Sequence, residues 1–240
     1  MISRWIGRTI RLPLRLLKRG TVMRILTGPL RGRRWVSGTA THGCWAGTYE
    51  RKTQRVFEEI VRPGDVVYDV GANAGFFTLL ASKLAGPSGR VYAFEPLPRN
   101  IAVLREHVRL NGAANVEVLP LAVSDRAGTA YFAAADHPAM GGLSDRGALE
   151  VETTTLDALR GTIAPPSFIK MDIEGAEHAA LTGAIEVLCA AKPVILLSAH
   201  GLVQHDRCTE LLRGLGYALT MLVDGTADGN YVVLARSESS

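Results

Sequence analysis

The sequence predicts an α/β fold in which a mostly parallel sheet carries helices on both faces and ends in an antiparallel hairpin. From residue 50 onwards, short apolar runs alternate with helical segments, which is the pattern of βα units. The apolar run at 66–70 leads through a glycine-bearing turn directly into a helix, as at the carboxyl edge of a parallel sheet. The last two apolar runs, 218–223 and 231–236, share only a short link, which favours a hairpin.

The other elements follow from the spacing of apolar residues and from the residues that end helices. Residues 28–49 are rich in glycine, threonine and aromatic residues without a period, so we expect short strands or loops that cover the domain. The polar stretch 136–149 also lacks a period and is either a lid over the substrate or disordered. The remaining predicted elements are helix 50–60, strand 66–70, helix 76–84, strand 90–95, helix 99–110, strands 116–123 and 129–134, short helix 153–159, strand 167–173, helix 176–188, strand 193–198 and helix 204–215.

Composition limits the class of protein. With 240 residues, of which 47% are hydrophobic and 21% charged, the chain suits one α/β domain plus an appendage. The three cysteines, Cys44, Cys189 and Cys208, are odd in number and lack metal-ligand spacing. We therefore expect free thiols in a reducing compartment, with neither zinc nor a disulfide framework. We divide the chain into a basic N-terminal arm and lead-in, 1–49, and a domain, 50–240.

The positive charge of the chain lies in its N-terminal arm. Residues 1–49 contain ten Lys or Arg and no acidic residue, whereas the other 191 carry 17 basic and 23 acidic residues. Along residues 2–19, basic residues recur every three or four positions opposite apolar ones, a basic amphipathic pattern interrupted by Pro13. Three interpretations stay open: peripheral contact with an anionic membrane, contact with nucleic acid, or packing on the domain, which we favour. No apolar stretch has the length of a signal peptide or a membrane span, so we expect a cytoplasmic protein, either free or membrane-associated.

The turn after the first strand has the spacing of a ligand site. It reads D-x-G-x-N-x-G, with Asp69, Gly71, Asn73 and Gly75. A dinucleotide fingerprint would place a second glycine where Asn73 stands, and the carboxylate of Asp69 would repel a pyrophosphate. The same carboxylate suits an amino group and a sulfonium, as in S-adenosylmethionine. We expect the two glycines to let the backbone approach the ligand.

A second acidic residue supports an adenosine ligand. Glu95 ends the apolar strand 90–95 and is followed by Pro96. In doubly wound folds, an acid at this place accepts hydrogen bonds from the two ribose hydroxyls. The two acids together predict an adenosine ligand without phosphate, such as S-adenosylmethionine. The alternative that D-x-G-x-N-x-G is only a turn from a strand to a helix stays open.

A third set of polar residues ends the apolar strand 167–173. Strand alternation places Lys170, Asp172 and Glu174 on one side, where they are costly unless they are paired or functional. A structural network in which Lys170 neutralises Asp172, while Glu174 and Glu177 interact with the next helix N-terminus, stays open. His200 follows the next strand within reach of Asp172, and it is either a catalytic base or a bystander. The other histidines, at 42, 107, 137, 178 and 205, carry no usable signal.

The chain resembles the FkbM-type methyltransferases. The resemblance lies in VVYDVGANAGFFT, VYAFEPLPRNIAVLREHVRLNG, VLPLAVSD and above all FIKMDIEGAEHAALTGA, and it extends to the lead-in GPLRGRRWVSGTATHGCWAGTYE. It implies a Rossmann-like class I methyltransferase fold with a seven-stranded sheet, S-adenosylmethionine as the cofactor, and O-methylation of a hydroxyl on a polyketide, sugar or glycolipid-type acceptor.

The resemblance also implies roles for individual residues. Ser198 departs from the family, which usually has an acid there, so any role of that acid is in doubt. The implied catalytic residues are Asp172, His200 and Lys170. The implied cofactor residues are Asp69, Gly71, Asn73 and Gly75 at the methionine end, Glu95 and Pro96 at the ribose, and Ala122, Val123, Ser124 and Asp125 at the adenine.

Methyl transfer needs alignment of the acceptor and removal of its proton, and Asp172, His200 or both in relay are the candidate bases. A divalent cation held by Asp172 and Glu174 stays open, but we assign no metal.

A rival hypothesis is a non-catalytic cofactor-binding module that acts through the basic arm at a membrane or a partner. Nucleic-acid methylation ranks last, because no D/N-P-P-Y/F-type motif is present. We expect a small-molecule or glycan acceptor, chosen by 28–49 and 136–149, and leave the oligomeric state open.

Overall fold

The computed structural model describes residues 18–132, 143–144, 149–225, 227 and 229–238. The strands in this part of the chain are β1 (Val22–Arg24), β2 (Arg34–Val36), β3 (Val66–Val70), β4 (Arg90–Phe94), β5 (Val116–Leu119), β6 (Ala122–Val123), β7 (Gly128–Phe132), β8 (Leu143–Ser144), β9 (Leu149–Thr154), β10 (Phe168–Met171), β11 (Val194–His200), β12 (Tyr217–Asp224) and β13 (Asn230–Ser237). The α-helices are α1 (His42–Ala46), α2 (Arg51–Ile60), α3 (Phe76–Ala85), α4 (Pro98–Asn111), α5 (Glu177–Thr182), α6 (Ile185–Ala191) and α7 (Leu202–Gly214).

A seven-stranded sheet forms the centre of the fold. Its strand order is β12–β13–β11–β10–β3–β4–β5. The five strands from β11 to β5 are parallel, and β13 runs antiparallel to both of its neighbours. The predicted mostly parallel sheet with a C-terminal antiparallel hairpin is therefore confirmed.

The two faces of the sheet bury separate apolar clusters because strand residues point alternately to opposite sides. Val67 and Phe168 lie in the cluster with α2, α3 and the lead-in. Tyr68 and Ile169 lie in the cluster with α5, α6 and α7. The ring of Phe57 packs 5.0 Å from that of Phe168, centroid to centroid, a contact that contributes about 1 kcal/mol beyond area burial. Helices therefore cover both faces, as the alternation of elements predicts.

The described part of the lead-in joins the first of these clusters. It contains β1, β2 and the five-residue helix α1, which agrees with the expected short strands or loops. Ile25, Leu30 and Trp35 are fully buried against the domain. The division of the chain at residue 49 stays a prediction.

Two predicted elements in the middle of the chain are wrong. The strand expected at 116–123 splits at Pro120: β5 belongs to the main sheet, and β6 belongs to a second sheet of order β6–β9–β7–β8. Proline has no N–H for a sheet ladder, so the strand cannot continue through it. The helix expected at 153–159 begins as the end of β9, and only Asp157–Leu159 form a single 3₁₀ turn.

The helix expected at 176–188 is broken into α5 and α6. Gly183 lies at the break, where a Cβ would come within 2.1 Å of the backbone oxygen of Ser124. The carboxylate of Asp157 then caps α6 by accepting hydrogen bonds from the backbone N–H groups of Glu186 and Val187, at 3.1 and 2.8 Å. The position of His200 also differs from the prediction, because β11 continues through this residue.

Two expectations fall on residues that the structure does not describe. Most of the predicted lid, 136–149, and residues 2–17 of the arm are among them. Peripheral membrane contact through 2–19 therefore stays a prediction. Within the described ranges, no helix combines the length and the apolar character needed to cross a bilayer.

Candidate active site

A cavity of about 720 Å³ lies at the carboxyl ends of the central strands. This volume is in the range of about 300–1,000 Å³ that small-molecule sites occupy. The residues of the turn 71–75, called here the cofactor turn, form one side. Lys170, Asp172 and Glu174 form another. A third side is the lead-in wall, defined as Gly38, Thr39, Ala40, Thr41, His42, Cys44 and Tyr49.

The cofactor turn has left-handed backbone conformations at Gly71, Asn73 and Gly75, with φ angles of +81°, +49° and +90°. Glycine adopts such angles without strain, and asparagine is among the few other residues that tolerate them. A Cβ on Gly71 would lie 2.0 Å from the backbone oxygen of Asp172, and one on Gly75 would lie 2.4 Å from Leu104 Cδ1. The two glycines therefore admit neighbouring protein atoms, whereas the sequence argument had them admit a ligand.

Glu95 lines the cavity with its carboxylate held in place. Its Oε2 accepts a hydrogen bond from Asn73 N–H at 2.8 Å, and its Oε1 accepts from Leu97 N–H at 2.9 Å and Asn100 Nδ2 at 3.2 Å. Burial raises the pKa of this carboxyl, and the three hydrogen bonds oppose the rise. Because a carboxylate offers about four acceptor sites, three of which are used, Glu95 has room for about one further hydroxyl donor.

Asp69 does not line the cavity but lies beneath the cofactor turn. It is fully buried, and its Oδ2 accepts a hydrogen bond from Thr78 Oγ1 at 2.6 Å. Among the residues that the structure describes, none donates a hydrogen bond to its Oδ1, which lies 3.7 Å from Lys170 Nζ. Burial raises the pKa of Asp69, while Lys170 and Thr78 act to lower it. Lys170 also donates to the backbone oxygen of Gly71 at 3.3 Å, so Asp69 and Lys170 support the turn from below.

The predicted catalytic residues belong to one ionic cluster, defined as Asp69, Lys170, Asp172, Glu174, Glu177 and His200. Asp172 lies between two cations, with Oδ2 3.4 Å from Lys170 Nζ and Oδ1 3.6 Å from His200 Nε2. Glu174 Oε2 lies 3.5 Å from the same His200 nitrogen. The other ring nitrogen, Nδ1, contacts the buried Glu177 Oε1 at 2.8 Å. His200 itself does not line the cavity, but it contacts Asp172 and Glu174, which do.

The charges of the cluster follow from these contacts. Burial lowers the pKa of His200, but the hydrogen bond to Glu177 and the charges of Asp172 and Glu174 outweigh it and raise the pKa to about 9. Burial also lowers the pKa of Lys170, and the carboxylates of Asp172 and Asp69 reverse this effect, so its pKa lies above the usual value. At neutral pH the cluster therefore contains two cations and four carboxyl groups. Burial raises the pKa of Glu174, as expected where acids outnumber cations.

The residues expected at the adenine end divide into two pairs. Ala122 and Val123 line the cavity, as does Pro96 beside Glu95. Ser124 and Asp125 do not line it, and Ser124 N–H donates to Thr154 O at 2.8 Å. Ser198, where the resemblance implies an acid, lies in β11 opposite Val232 and is also outside the cavity lining.

The lead-in wall is the part of the site that sequence reasoning did not resolve into residues. Tyr49 packs edge-on against Phe76 at 5.5 Å between ring centroids, and its pKa is raised by burial and by the neighbouring Glu50. Glu50, next to Tyr49 in the chain, and Glu174, which lines the cavity, have positive φ angles of 41° and 54°. Only the abundance of glycine and aromatic residues in 28–49 hinted at this role, because a non-periodic segment gives no register.

The cavity fits S-adenosylmethionine on its own chemistry. Asp172 and Glu174 place two carboxyl groups on the cavity, and the ionic cluster has more carboxyl groups than cations, so a bound positive charge is favoured there. A carboxylate held at the end of β4 offers an acceptor for a ribose hydroxyl. The strand order and the placement of the site define a Rossmann-like class I methyltransferase fold.

Comparison with known proteins gives the family. A model of the methyltransferase FkbM domain matches residues 69–219, and the chain belongs to this family. S-adenosylmethionine is accordingly its cofactor.

The relatives cover different shares of the chain. The 31-O-demethyl-FK506 methyltransferase FkbM of Streptomyces tacrolimicus is 52% identical over 69 residues, which is 28% of this chain and 25% of that protein. The match thus spans about a quarter of that relative. The hexuronic acid methyltransferase AglP of Haloferax volcanii is 30% identical over 169 residues, which is 68% of this chain and 67% of that protein. Methyltransferase FkbM from Methylobacillus flagellatus KT has a similar fold, with a TM-score of 0.57 and 19% identity over 82% of this chain and 55% of that one.

Proposed function

We propose that this chain transfers the methyl group of S-adenosylmethionine to a hydroxyl of a small-molecule or glycan acceptor, and that Asp172 takes the proton of that hydroxyl. One observation carries the proposal. Asp172 lines the cavity with one carboxylate oxygen near each of two cations, Lys170 and His200, and its side chain is 20% exposed. A base that reaches the cavity and is fixed on both sides suits proton removal during an in-line transfer.

The charge state of His200 supports Asp172 as the base. A pKa of about 9 keeps the imidazole protonated at neutral pH, so the ring holds no free nitrogen that accepts a proton. His200 instead orients Asp172 and Glu174, while the buried Glu177 fixes the ring from the other side. Lys170 neutralises Asp69 and holds the second oxygen of Asp172.

The reaction balances within these groups. When bound, S-adenosylmethionine supplies a methyl group on a sulfonium, which is a good leaving group. The sulfur would leave as a thioether as the acceptor oxygen takes the methyl group, and Asp172 would accept the hydroxyl proton. The cluster's excess of carboxyl groups attracts the sulfonium, and the cofactor turn and Glu95 hold the nucleoside.

The acceptor class rests on the relatives. One relative is named for a 31-O-demethyl compound and the other for hexuronic acid, which supports an oxygen acceptor on a polyketide-type, sugar or glycolipid-type molecule. The lead-in wall supplies hydroxyl groups from Thr39 and Thr41 and rings from His42 and Tyr49 to the cavity that Asp172 also lines, which suits a neutral acceptor with several hydroxyls.

Calorimetric titration and a transfer assay test the proposal. We expect the wild type to bind S-adenosylmethionine and not NAD, and Glu95→Gln to bind it about fivefold or more weakly. Asp172→Asn should bind S-adenosylmethionine within about threefold of the wild type, because the isosteric amide keeps the cavity shape. The same variant should lose about 10²-fold or more of the transfer of labelled methyl groups to a panel of sugar and polyketide hydroxyls.

Glu106→Gln is the matched control for the loss of one acid. Glu106 lies on the exposed side of α4, paired with Arg109 at 2.7 Å, and should change neither binding nor transfer. The proposal fails if the wild type does not bind S-adenosylmethionine. The role of Asp172 fails if Asp172→Asn transfers methyl groups at the wild-type rate.

A further inference from the structure

His107 lies between two parts of the cavity that come from distant stretches of the sequence. It is fully buried on α4. Its Nδ1 is 2.7 Å from the backbone oxygen of Ala74, in the cofactor turn. Its Nε2 accepts a hydrogen bond from the backbone N–H of Val36, at 2.9 Å. Val36 ends β2, two residues before the lead-in wall begins.

These two partners determine the protonation of the ring. A carbonyl oxygen only accepts, so Nδ1 must carry a proton and donate it to Ala74. A backbone N–H only donates, so Nε2 must be unprotonated. His107 is therefore the neutral Nδ1–H tautomer. A second proton on Nε2 would point at the N–H of Val36, and that contact would change from attractive to repulsive.

The surroundings of His107 fix β2 on the same helix. The indole ring of Trp35 stacks on the imidazole at 3.9 Å between centroids, with 20° between the planes. One helical turn further on, the side-chain amide of Asn111 accepts from Arg34 N–H and donates to Arg34 O, both at 2.8 Å. The edge of β2 that does not pair with β1 thus bonds to two side chains of α4, and Trp35 and Ala74 both line the cavity.

We propose that His107 is a positioning residue that joins the lead-in wall to the cofactor turn, and that a proton added to its ring breaks this joint and weakens binding in the cavity. The proposal rests on the proposed function, because it takes S-adenosylmethionine as the ligand of the cofactor turn. The ring acts through Ala74 and Val36 and touches neither ligand nor acceptor. One residue thus couples the cofactor side of the site to the side that contacts the acceptor.

Few charged groups near His107 would stabilise its protonated ring. On α4 itself the neighbouring Glu106 attracts a proton to the ring, but it is exposed and already paired with Arg109. On the lead-in side the charged neighbours are Arg33 and Arg34, both cations, and the Arg33 guanidinium donates to Asn111 O at 3.2 Å. On the side of the cofactor turn, the contacting residue Ala74 is uncharged, and the Phe76 ring of α3 packs on Trp35, the ring that stacks on His107. Burial lowers the pKa of His107, so the joint holds at neutral pH and opens in acid.

Two variants separate the hydrogen bonds from the titration. The amide of glutamine both donates and accepts but does not titrate, so His107→Gln should bind S-adenosylmethionine within about threefold of the wild type at pH 7.5. Between pH 7.5 and 5.5 the affinity of the wild type should fall about fivefold more than that of His107→Gln. His107→Leu fills the space without hydrogen bonds and should bind about tenfold more weakly at both pH values. His178→Gln, which removes a histidine elsewhere, should keep the wild-type pH dependence.

Hydrogen exchange of peptides covering 34–44 gives a readout that does not depend on any ligand. At pH 5.5 the wild type should exchange faster there than His107→Gln, while the two should match at pH 7.5. Equal pH dependence of affinity and exchange in the two proteins would overturn the proposal, as would wild-type affinity in His107→Leu. If no protein binds S-adenosylmethionine at pH 7.5, the proposed function fails, and the exchange measurement still decides whether His107 joins the two segments.

Discussion

The ionic cluster and the lead-in wall line the same cavity, but the histidines that support them differ in charge. His200 in the ionic cluster is cationic, whereas His107 behind the lead-in wall is neutral. Burial lowers the pKa of both rings. At His200 three carboxylates outweigh this effect and keep the ring cationic. At His107 the partners are a carbonyl, an amide N–H and an indole, so the ring is neutral. The groups around each histidine thus determine its role. Carboxylates make His200 a cation that binds acidic side chains, whereas backbone groups make His107 a neutral ring that links two segments.

Removing the cation between the acids should break the ionic cluster. Lys170→Met leaves the buried Asp69 without a cation and Asp172 with only His200, so the free energy of unfolding at pH 7.5 should fall by about 3–5 kcal/mol. Urea unfolding measures it. The loss should be smaller at pH 5, because the raised pKa of Asp69 lets it take up a proton. Lys52→Met, on the exposed side of α2, should cost under about 0.5 kcal/mol. A loss below about 1 kcal/mol for Lys170→Met would mean that the ion pairs of Lys170 with Asp69 and Asp172 do not hold the cluster together.

A methyl group at Gly71 should disturb the cluster from the side of the cofactor turn. Gly71→Ala combines a positive φ angle with a contact of 2.0 Å to the backbone oxygen of Asp172, so we expect a loss of about 2–4 kcal/mol in unfolding free energy. Binding of S-adenosylmethionine should weaken in parallel. Gly112→Ala is the control, because its φ angle is also positive but its Cβ would meet open space, and it should cost about 1 kcal/mol without loss of binding. Equal losses of unfolding free energy in the two variants would show that the backbone at Asp172 moves away to admit the added methyl group.

The pH dependence of stability should carry the signature of His200. Its pKa is raised from 6.5 to about 9, so its stabilising effect is complete below pH 6.5 and is lost as the pH rises through about 9. His200→Gln should therefore lack a decrease in unfolding free energy of about 1–2 kcal/mol that the wild type shows between pH 7 and 10, after allowance for partial exposure. Subtracting the two urea-unfolding profiles removes the titration of lysines and tyrosines common to both. A flat difference would mean that His200 is neutral in the folded protein.

The sequence predicted the ionic cluster better than the lead-in wall, for physical reasons. Asp69, Lys170 and Asp172 sit at the ends of strands whose apolar runs fix their register, so parallel pairing brings them together without further information. His107 and Asn111 act on a segment more than 70 positions earlier in the chain through side-chain hydrogen bonds to backbone. No periodicity encodes such contacts, and in the sequence His107 is only one histidine in a helix.

The same distinction explains the errors within the fold. The break between α5 and α6 depends on the approach of Ser124 to Gly183 and on a cap from Asp157, both from other parts of the chain. Apolar spacing alone runs through that break, because it records only which side of a helix is buried. The split at Pro120, by contrast, could have been predicted from the sequence, because proline interrupts the hydrogen bonding of any interior strand that contains it.

The smallest predicted effect concerns the lead-in, which side chains of α4 bind through hydrogen bonds to its backbone. Asn111→Ala removes the amide that bonds Arg34 on both sides, and should cost about 1 kcal/mol in unfolding free energy. Trypsin should then cleave after Arg33 and Arg34 faster at pH 7.5, because the backbone of Arg34 loses both hydrogen bonds to α4, while β2 keeps its pairing with β1 and the bond from Val36 to His107. Asn115→Ala is matched to it, since that amide also makes hydrogen bonds to backbone, with Ser82 and Gly86, but away from the lead-in. The control should lose similar stability without faster cleavage at these arginines. Equal cleavage in both variants would mean that the lead-in is held by its buried apolar residues, and that the amide contacts only align it.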